Sequence, residues 1–155
     1  MNDDPMRGAI VLSKDLEPGV AINAAAITFA YLVHAGAAMF GSELLLDADG
    51  AAHATIKHNI AVLKANSSLQ ITNHIQTVLP HIIGIRWAVF SNRGRLLSNS
   101  YAEYCELVGR SPTIELEPIA LAIVGRDQAV KTASKKFSFF KVASRGEPSL
   151  DGPTT

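Results

Sequence analysis

The sequence predicts a single α/β domain of three layers, with helices on both faces of a mixed, mostly parallel sheet of about four strands. Two observations predict it. Apolar runs of strand length, rich in β-branched residues, alternate with segments that carry helical spacing or a helix cap. Such alternation favours parallel strands joined by right-handed crossovers. The chain has 155 residues, of which we assign 1–142 to the domain and 143–155 to a tail predicted to be disordered.

The first half of the chain predicts a strand, a long helix and a hairpin. Residues 8–13 form a short apolar run that enters a polar turn, and Pro18 suits the first position of a helix. That helix is expected to continue to about residue 39 and is apolar nearly all round, which is typical of packing against a sheet on one side and a partner on the other. Residues 44–46 predict a buried strand, and residues 47–50 predict a turn.

The second half continues the alternation. Ser67 or Ser68 can cap a helix that Pro80 ends, and Tyr101, Tyr104, Cys105 and Val108 share one apolar helical face on which the thiol is expected to be buried and inert. Residues 91–95 are predicted to be a polar loop. The predicted strands are 60–65, 82–90 and 114–125, the last helix is 127–136, and 137–142 is either an edge strand or a packed tail.

Composition narrows the functional classes. Hydrophobic residues make up 48% and charged residues 18%, which is a globular composition, and the net charge is zero. Residues 1–80 nevertheless carry four Lys and Arg against seven Asp and Glu, whereas 81–155 carry ten against seven. An anionic partner should therefore prefer the second half.

The compartment is predicted to be the reducing cytoplasm, because the only cysteine, Cys105, cannot form an intramolecular disulfide and the first residues lack the basic start of a secretory signal. Residues 22–40 approach the length of a membrane span but are rich in Ala and contain Asn23 and His34. A buried helix is the better interpretation, so no membrane partner is expected.

Two segments resemble the peptidyl-tRNA hydrolase type II proteins. Residues 121–131 followed by Phe137-Ser138-Phe139 resemble their closing strand, helix and strand, and residues 11–16 resemble their opening. A closer resemblance is to domain-of-unknown-function family 2000, which shares that fold. It rests on Asp15-Leu16-Glu17-Pro18-Gly19 and the Ala-rich residues after it, on residues 47–50 with His53, and on residues 60–65. This resemblance covers nearly all of residues 8–141 and implies the hydrolase II fold.

The resemblance implies a site at the first helix and at the strand end near residue 92. The hydrolases carry a Gly-Lys pair at the helix start and an Asp before Gly-Arg at the strand end, whereas this chain has Gly19-Val20 and Asn92 with Gly94 and Arg95. An amide cannot act as a carboxylate base and a valine cannot supply a charged donor. Ligands of such sheets gather at the carboxyl ends of strands. The candidate pocket is Lys14, Asp15, Gly19, Asn23, Asn92, Gly94 and Arg95.

Each candidate has a structural alternative. The helix start suits an anion, but Asp15 and Glu17 can simply cap the helix. Asn23 is expected to be buried, where it either ties down a loop or lines a pocket. A second-half basic face could contact phosphate or RNA, although a solvated helix explains part of it and no interleaved aromatic residues support base stacking. Its members are Arg93, Arg95, Arg126, Lys131, Lys135 and Lys136.

Metal and cofactor motifs were not found. His53 and His58 flank the predicted turn, and His74 and His81 lie near a helix end, but neither pair has the spacing of a zinc site. We therefore predict no metal and no cofactor. The leading interpretation is a homodimer that binds a small molecule or a partner and lacks the hydrolase lysine and aspartate; tRNA is possible but not favoured. The alternative is a hydrolase of peptidyl-tRNA or a related ester with a rebuilt site.

Overall fold

A five-stranded mixed sheet forms the centre of the computed structural model, which describes residues 5–41, 43–55 and 57–140. The predicted tail lies outside these residues, and the side chain of Arg95 is also outside the described part. The strands are β1 (Met6–Ser13), β2 (Leu45–Leu46), β3 (Ala52–His53), β4 (Ile60–Ala65), β5 (Ile85–Phe90), β6 (Ala120–Arg126) and β7 (Ser138–Phe139). The helices are α1 (Pro18–His34), α2 (Ser68–Thr77), α3 (Asn92–Leu96), α4 (Tyr101–Arg110), α5 (Thr113–Leu116) and α6 (Asp127–Ser134).

The strand order is β5-β6-β1-β4-β7, and the prediction of a mostly parallel sheet is wrong. Only β1 and β4 pair in parallel, while β6 runs antiparallel to both β1 and β5, and β7 antiparallel to β4. The physical reason lies between β5 and β6. The chain leaves β5 at Phe90 and returns to the same end of the sheet, where the Ile119 N–H donates to the Phe90 carbonyl at 2.9 Å. When a connection brings the chain back to the end of the sheet that it left, the next strand must run in the opposite direction.

Helices cover both faces of the sheet. Ile10 and Leu12 of β1 face α1, where Ala21 and Ala24 are buried against them. Ala9 and Val11 face the opposite way, into a core shared with α2 and α6. This alternation is the period of two that a strand imposes on its side chains. The sheet therefore lies between one layer formed by α1 and another formed by α2 and α6.

Several helices and strands begin or end at residues other than those predicted. Helix α1 ends at His34 rather than near residue 39, because Gly36 adopts a positive φ of 102°. Strand β5 begins at Ile85 rather than at residue 82, after a 3-10 turn over Leu79–His81. The predicted loop at 91–95 is mostly the short helix α3. The predicted strand 114–125 is divided into α5 and β6.

The predictions of burial for the hairpin leucines and for Cys105 are wrong. The hairpin of β2 and β3 forms as predicted, and the Asp47 carboxylate closes its turn by accepting from the Asp49 and Ala51 N–H groups at 3.0 and 2.9 Å. Its leucines, however, are exposed. Cys105 is also exposed, because α4 packs against the small helix α3 and buries none of its residues.

In the part of the chain that the structure describes, none of the helices combines the length and the apolar character that crossing a membrane would require.

Candidate ligand-binding cavity

A cavity of about 660 Å³ lies where β4 and β5 end. It is bounded by the first turns of α2, by α3, and by the segment that leads into β6. This volume is within the range of pockets that hold small organic molecules. The residues that line the cavity are Ser67, Ser68, Leu69, Thr72, Asn92, Arg93, Leu96, Leu97, Ile114, Glu117 and Ile119.

The first turn of α2 lies at the wall of the cavity and contains backbone hydrogen-bond donors. The Ser67 side chain caps the helix by accepting from the Gln70 N–H at 3.1 Å, which confirms the predicted cap. The first N–H groups of a helix have no carbonyl partner inside it, so those of Ser68 and Leu69 remain as donors. No acidic residue lies in this turn. The positive end of the helix dipole is therefore not compensated from within α2.

Thr72 adds a buried hydroxyl to the same wall. Its side chain is only 1% exposed, and its Oγ1 has no hydrogen-bond partner among the described residues. Leaving a buried polar atom unsatisfied costs roughly 1–3 kcal/mol, so such atoms are uncommon and call for an explanation. A hydroxyl that lines a cavity can find its partner in a bound molecule.

Among the described lining residues, the two charged side chains neutralise each other. An Arg93 guanidinium N–H donates to Glu117 Oε1 at 3.0 Å, and both side chains are about half exposed. Glu117 adopts a positive φ of 52°, which is uncommon for a residue with a side chain and is held here at the wall of the cavity. The segment is fixed nearby by a hydrogen bond that the Ser91 hydroxyl donates to the Leu116 carbonyl.

The structure separates the residues of the sequence-predicted pocket. Asn92 lines the cavity as the first residue of α3. Gly94 faces away from it, since an added Cβ would lie 3.3 Å from the Tyr104 ring of α4. Arg95 belongs to the same short helix, but its side chain lies outside the described part.

The remaining predicted residues lie on the first loop and on α1. Lys14 is exposed, and its N–H donates to the Ala65 carbonyl at 2.8 Å, which places this loop beside the end of β4. Asp15 adopts a positive φ of 66°. Gly19 and Asn23 are exposed on α1, at the other face of the sheet from α2. The expectation that Asn23 is buried is therefore wrong.

Sequence reasoning missed the contribution of α2. Ser67 and Ser68 were interpreted only as caps, although β4 was predicted correctly and its carboxyl end is a place where ligands gather in such sheets. That rule could have pointed to this turn. The burial of Thr72 left no comparable signal, because it depends on the packing of α2 near α5.

Other polar side chains form pairs away from the cavity. The Asp127 carboxylate accepts from Lys131 at 2.6 Å and from Arg7 at 2.7 Å, and these two cations, Lys131 first, lower the pKa of that carboxyl below its usual value. Arg93 and Lys131 of the predicted basic face are therefore paired with acids. Within residues 5–41, 43–55 and 57–140, no group of three or more His, Cys, Asp or Glu side chains is placed to hold a metal ion.

Comparison with known proteins identifies the family. A family model described as "Protein of unknown function (DUF2000)" matches residues 6–141 of the 155. The chain belongs to the DUF2000 family. A solved structure of a protein of unknown function, Atu0240 from Agrobacterium tumefaciens strain C58, is similar to this DUF2000 domain with a TM-score of 0.70. The identity is 14%, over 88% of this chain and 98% of that one, so this likeness concerns the fold alone. No curated protein matches the chain.

Proposed function

We propose that this DUF2000 domain is a cytoplasmic, homodimeric binding module that holds a small organic molecule in the cavity between α2, α3 and the segment before β6. One observation carries the proposal: Thr72 lines a cavity of about 660 Å³, and its buried hydroxyl has no partner among the described residues. Apolar side chains supply much of the remaining wall. A ligand with an apolar body and a polar end suits both features.

We infer in addition that the domain has the peptidyl-tRNA hydrolase type II fold. The order of elements supports this, because the chain opens with a strand and an Ala-rich helix and closes with β6, α6 and β7. The segments that resemble the hydrolases in sequence are these same elements. Fold alone does not determine activity, so the reaction has to be judged from the side chains.

The side chains favour binding over hydrolysis of peptidyl-tRNA. Val20 stands where the hydrolases have lysine, and Asn92 stands where they have an acid. The rebuilt hydrolase site would have to rely on Lys14 and Arg95. We expect no release of labelled peptide from peptidyl-tRNA at high protein concentration; turnover that disappears in both Lys14→Ala and Arg95→Ala would reverse this conclusion.

The proposed second copy would pack on α1. Its outward residues include Ile22, Ala26, Ile27, Ala30 and Tyr31, all exposed, and the helix has no Asp, Glu, Lys or Arg from Pro18 to His34. An uncharged apolar face can meet its own symmetry copy without bringing like charges together. This supports a dimer in which α1 lies at the interface.

The binding proposal is tested by amide NMR with a library of small molecules that combine an apolar ring or chain with one polar group. Hits should shift the amides of Leu69, Leu96 and Ile119. The variant Leu96→Lys should weaken these hits by about tenfold or more, because it places a charge against an apolar ligand body. Leu44→Lys is the matched control, since the two leucines are 74% and 77% exposed and Leu44 does not line the cavity. Equal effects of both variants, or shifts confined to other regions, would refute the cavity as the binding site.

A further inference from the structure

The walls of the cavity differ in the chemistry they offer a ligand. One wall is formed by Ser68, Leu69 and Thr72 of α2 together with Asn92. It contains the first N–H groups of α2 and the buried Thr72 hydroxyl, which has no partner among the described residues. The N–H groups can only donate hydrogen bonds, whereas the hydroxyl can donate one and the amide two, and both of these groups can also accept. Donors outnumber acceptors among these groups, so a ligand whose polar end carries acceptors suits this wall best.

The charge of that polar end follows from the surroundings. The helix dipole of α2 favours a negative group at its first turn, and α2 has no acidic residue there to compensate it. The hydroxyl of Thr72 supplies a second donor that does not belong to the helix backbone. Arg93 is engaged with Glu117 at 3.0 Å, so this pair adds no net positive charge to the described wall of the cavity. This environment suits a single negative charge better than a dianion such as phosphate.

The rest of the ligand is defined by apolar side chains. Leu69, Leu96, Leu97, Ile114 and Ile119 line the cavity beyond its polar end. Burying apolar surface against them gains free energy in proportion to the area removed from water. A ligand without an apolar body would leave these side chains uncovered.

We infer that the ligand is an amphipathic carboxylate: a monoanionic carboxyl group on an aliphatic or aromatic body. The carboxylate accepts hydrogen bonds from the first turn of α2 and from the Thr72 hydroxyl, and the body lies on the leucine and isoleucine side chains. This inference rests on the proposed function, because it assigns a chemical class to the same cavity.

The direct test compares octanoate with 1-octanol, which has the same chain length and no charge, by amide NMR titration of the full chain. Octanoate should bind at least about tenfold more tightly, because hydrogen bonds to a charged acceptor are about twice as strong as neutral ones. Its shifts should include the Ser68, Leu69 and Thr72 amides. Inorganic phosphate should bind more weakly than octanoate, since it has no body to bury.

Variants at Leu69 isolate the charge. Leu69→Asp adds an acid to the first turn of α2, where the helix dipole favours it, so folding should be retained. Leu69→Asn has nearly the same shape without the charge. Octanoate affinity should be at least about tenfold lower in Leu69→Asp than in Leu69→Asn, whereas 1-octanol should bind both variants equally.

A second pair of variants isolates the hydroxyl. Thr72→Val should weaken octanoate by about tenfold, as expected for the loss of a hydrogen bond to a charged group. Thr77→Val is its control on the same helix, because Thr77 is exposed and its hydroxyl already donates to the Asn73 carbonyl.

The outcomes separate the two levels of the proposal. If 1-octanol binds in the cavity as tightly as octanoate, or if Leu69→Asp and Leu69→Asn bind octanoate equally, the carboxylate is wrong while the binding cavity stands. Tighter binding of phosphate than of octanoate would also overturn the carboxylate. If neither octanoate nor any library molecule shifts the cavity amides, both the ligand class and the proposed function fail. Should a variant not fold, the comparison of octanoate with 1-octanol on the natural chain still decides.

Discussion

Helices α1 and α2 pack on opposite faces of one sheet, but they differ in their buried hydroxyl groups and in their exposed side chains. Each buries a threonine: Thr28 of α1 and Thr72 of α2 are 2% and 1% exposed. Thr28 donates its hydroxyl hydrogen to the Ala24 carbonyl at 2.6 Å, whereas the Thr72 hydroxyl has no partner among the described residues. The buried hydroxyl of α1 therefore has a hydrogen-bond partner, and that of α2 has none among the described residues.

On the solvent-facing sides, α2 carries polar residues that suit water and α1 carries apolar residues that do not. The exposed residues of α2 include Asn73, Gln76 and Thr77, which water can solvate, while α1 exposes Ile22 and Tyr31 at 71% and 60%. An apolar surface that faces outward is best covered by another protein surface. An inward hydroxyl beside a cavity is best satisfied by a small polar group. This contrast is the basis of the proposed partner at α1 and the proposed ligand at α2.

The largest expected effect concerns the outer side of α1. Ile22→Arg should raise the dissociation constant of the proposed dimer at least about a hundredfold, because an unpaired charge in an interface costs several kcal/mol and each 1.4 kcal/mol is tenfold. Sedimentation velocity over a range of concentrations measures the change. Ile83→Arg is the control, since Ile83 is 94% exposed but is not part of α1.

A natural chain that sediments as a monomer at micromolar concentration would remove the dimer. A dimer that responds equally to Ile22→Arg and Ile83→Arg would instead place the interface elsewhere. In either case the proposal that α1 packs against a protein partner would be wrong.

Local patterns in the sequence were enough to predict much of this contrast. The β-branched runs predicted β1 and β4, and Ser67 or Ser68 was predicted to cap α2. The apolar residues nearly all round α1 indicated a helix that packs on more than one side. These features depend on residues close together in the chain, so they can be read without the fold.

Features that depend on distant contacts could not be predicted. The apolar run at 114–125 gave no sign that α5 would occupy its first part or that β6 would run antiparallel to β1. Asn23 was expected inside because a helix that is apolar nearly all round does not reveal which side faces the sheet. The position of Asn92 at a strand end was predictable, but the unpartnered state of Thr72 required the packed structure.

The two threonines provide the next test, with smaller effects of opposite sign. Thr72→Val should raise the free energy of unfolding by about 1 kcal/mol, because it removes a buried polar atom that lacks a partner among the described residues. Thr28→Val should lower it by about 1 kcal/mol, because a formed hydrogen bond is lost. Urea unfolding at neutral pH measures both. If Thr72→Val were as destabilising as Thr28→Val, the Thr72 hydroxyl must already be satisfied, and the argument for a ligand at α2 would fall.

The smallest expected effect concerns the buried histidine of α2. The Nε2–H of His74 donates to the Ala133 carbonyl at 2.6 Å, and the ring packs edge-on against Phe137. Burial lowers the pKa of His74 below 6.5, with a smaller lowering from the charge of Lys136, although the hydrogen bond to Ala133 opposes them. The unfolded chain therefore takes up this proton more readily than the folded chain. The contribution of His74 to stability is present above pH 6.5 and is lost as the pH falls from there through the folded-state pKa.

The measurement is urea unfolding between pH 7.5 and pH 5, on the natural chain and on His74→Gln, whose side chain cannot take up a proton in this range. The difference between their pH slopes isolates His74 from the other histidines and cannot exceed about 1.4 kcal/mol per pH unit for one proton. The natural chain should lose more stability than His74→Gln as the solution becomes acidic. Parallel slopes would mean that His74 titrates alike in both states, and the inner side of α2 would then be more open to water than its packing against α6 implies.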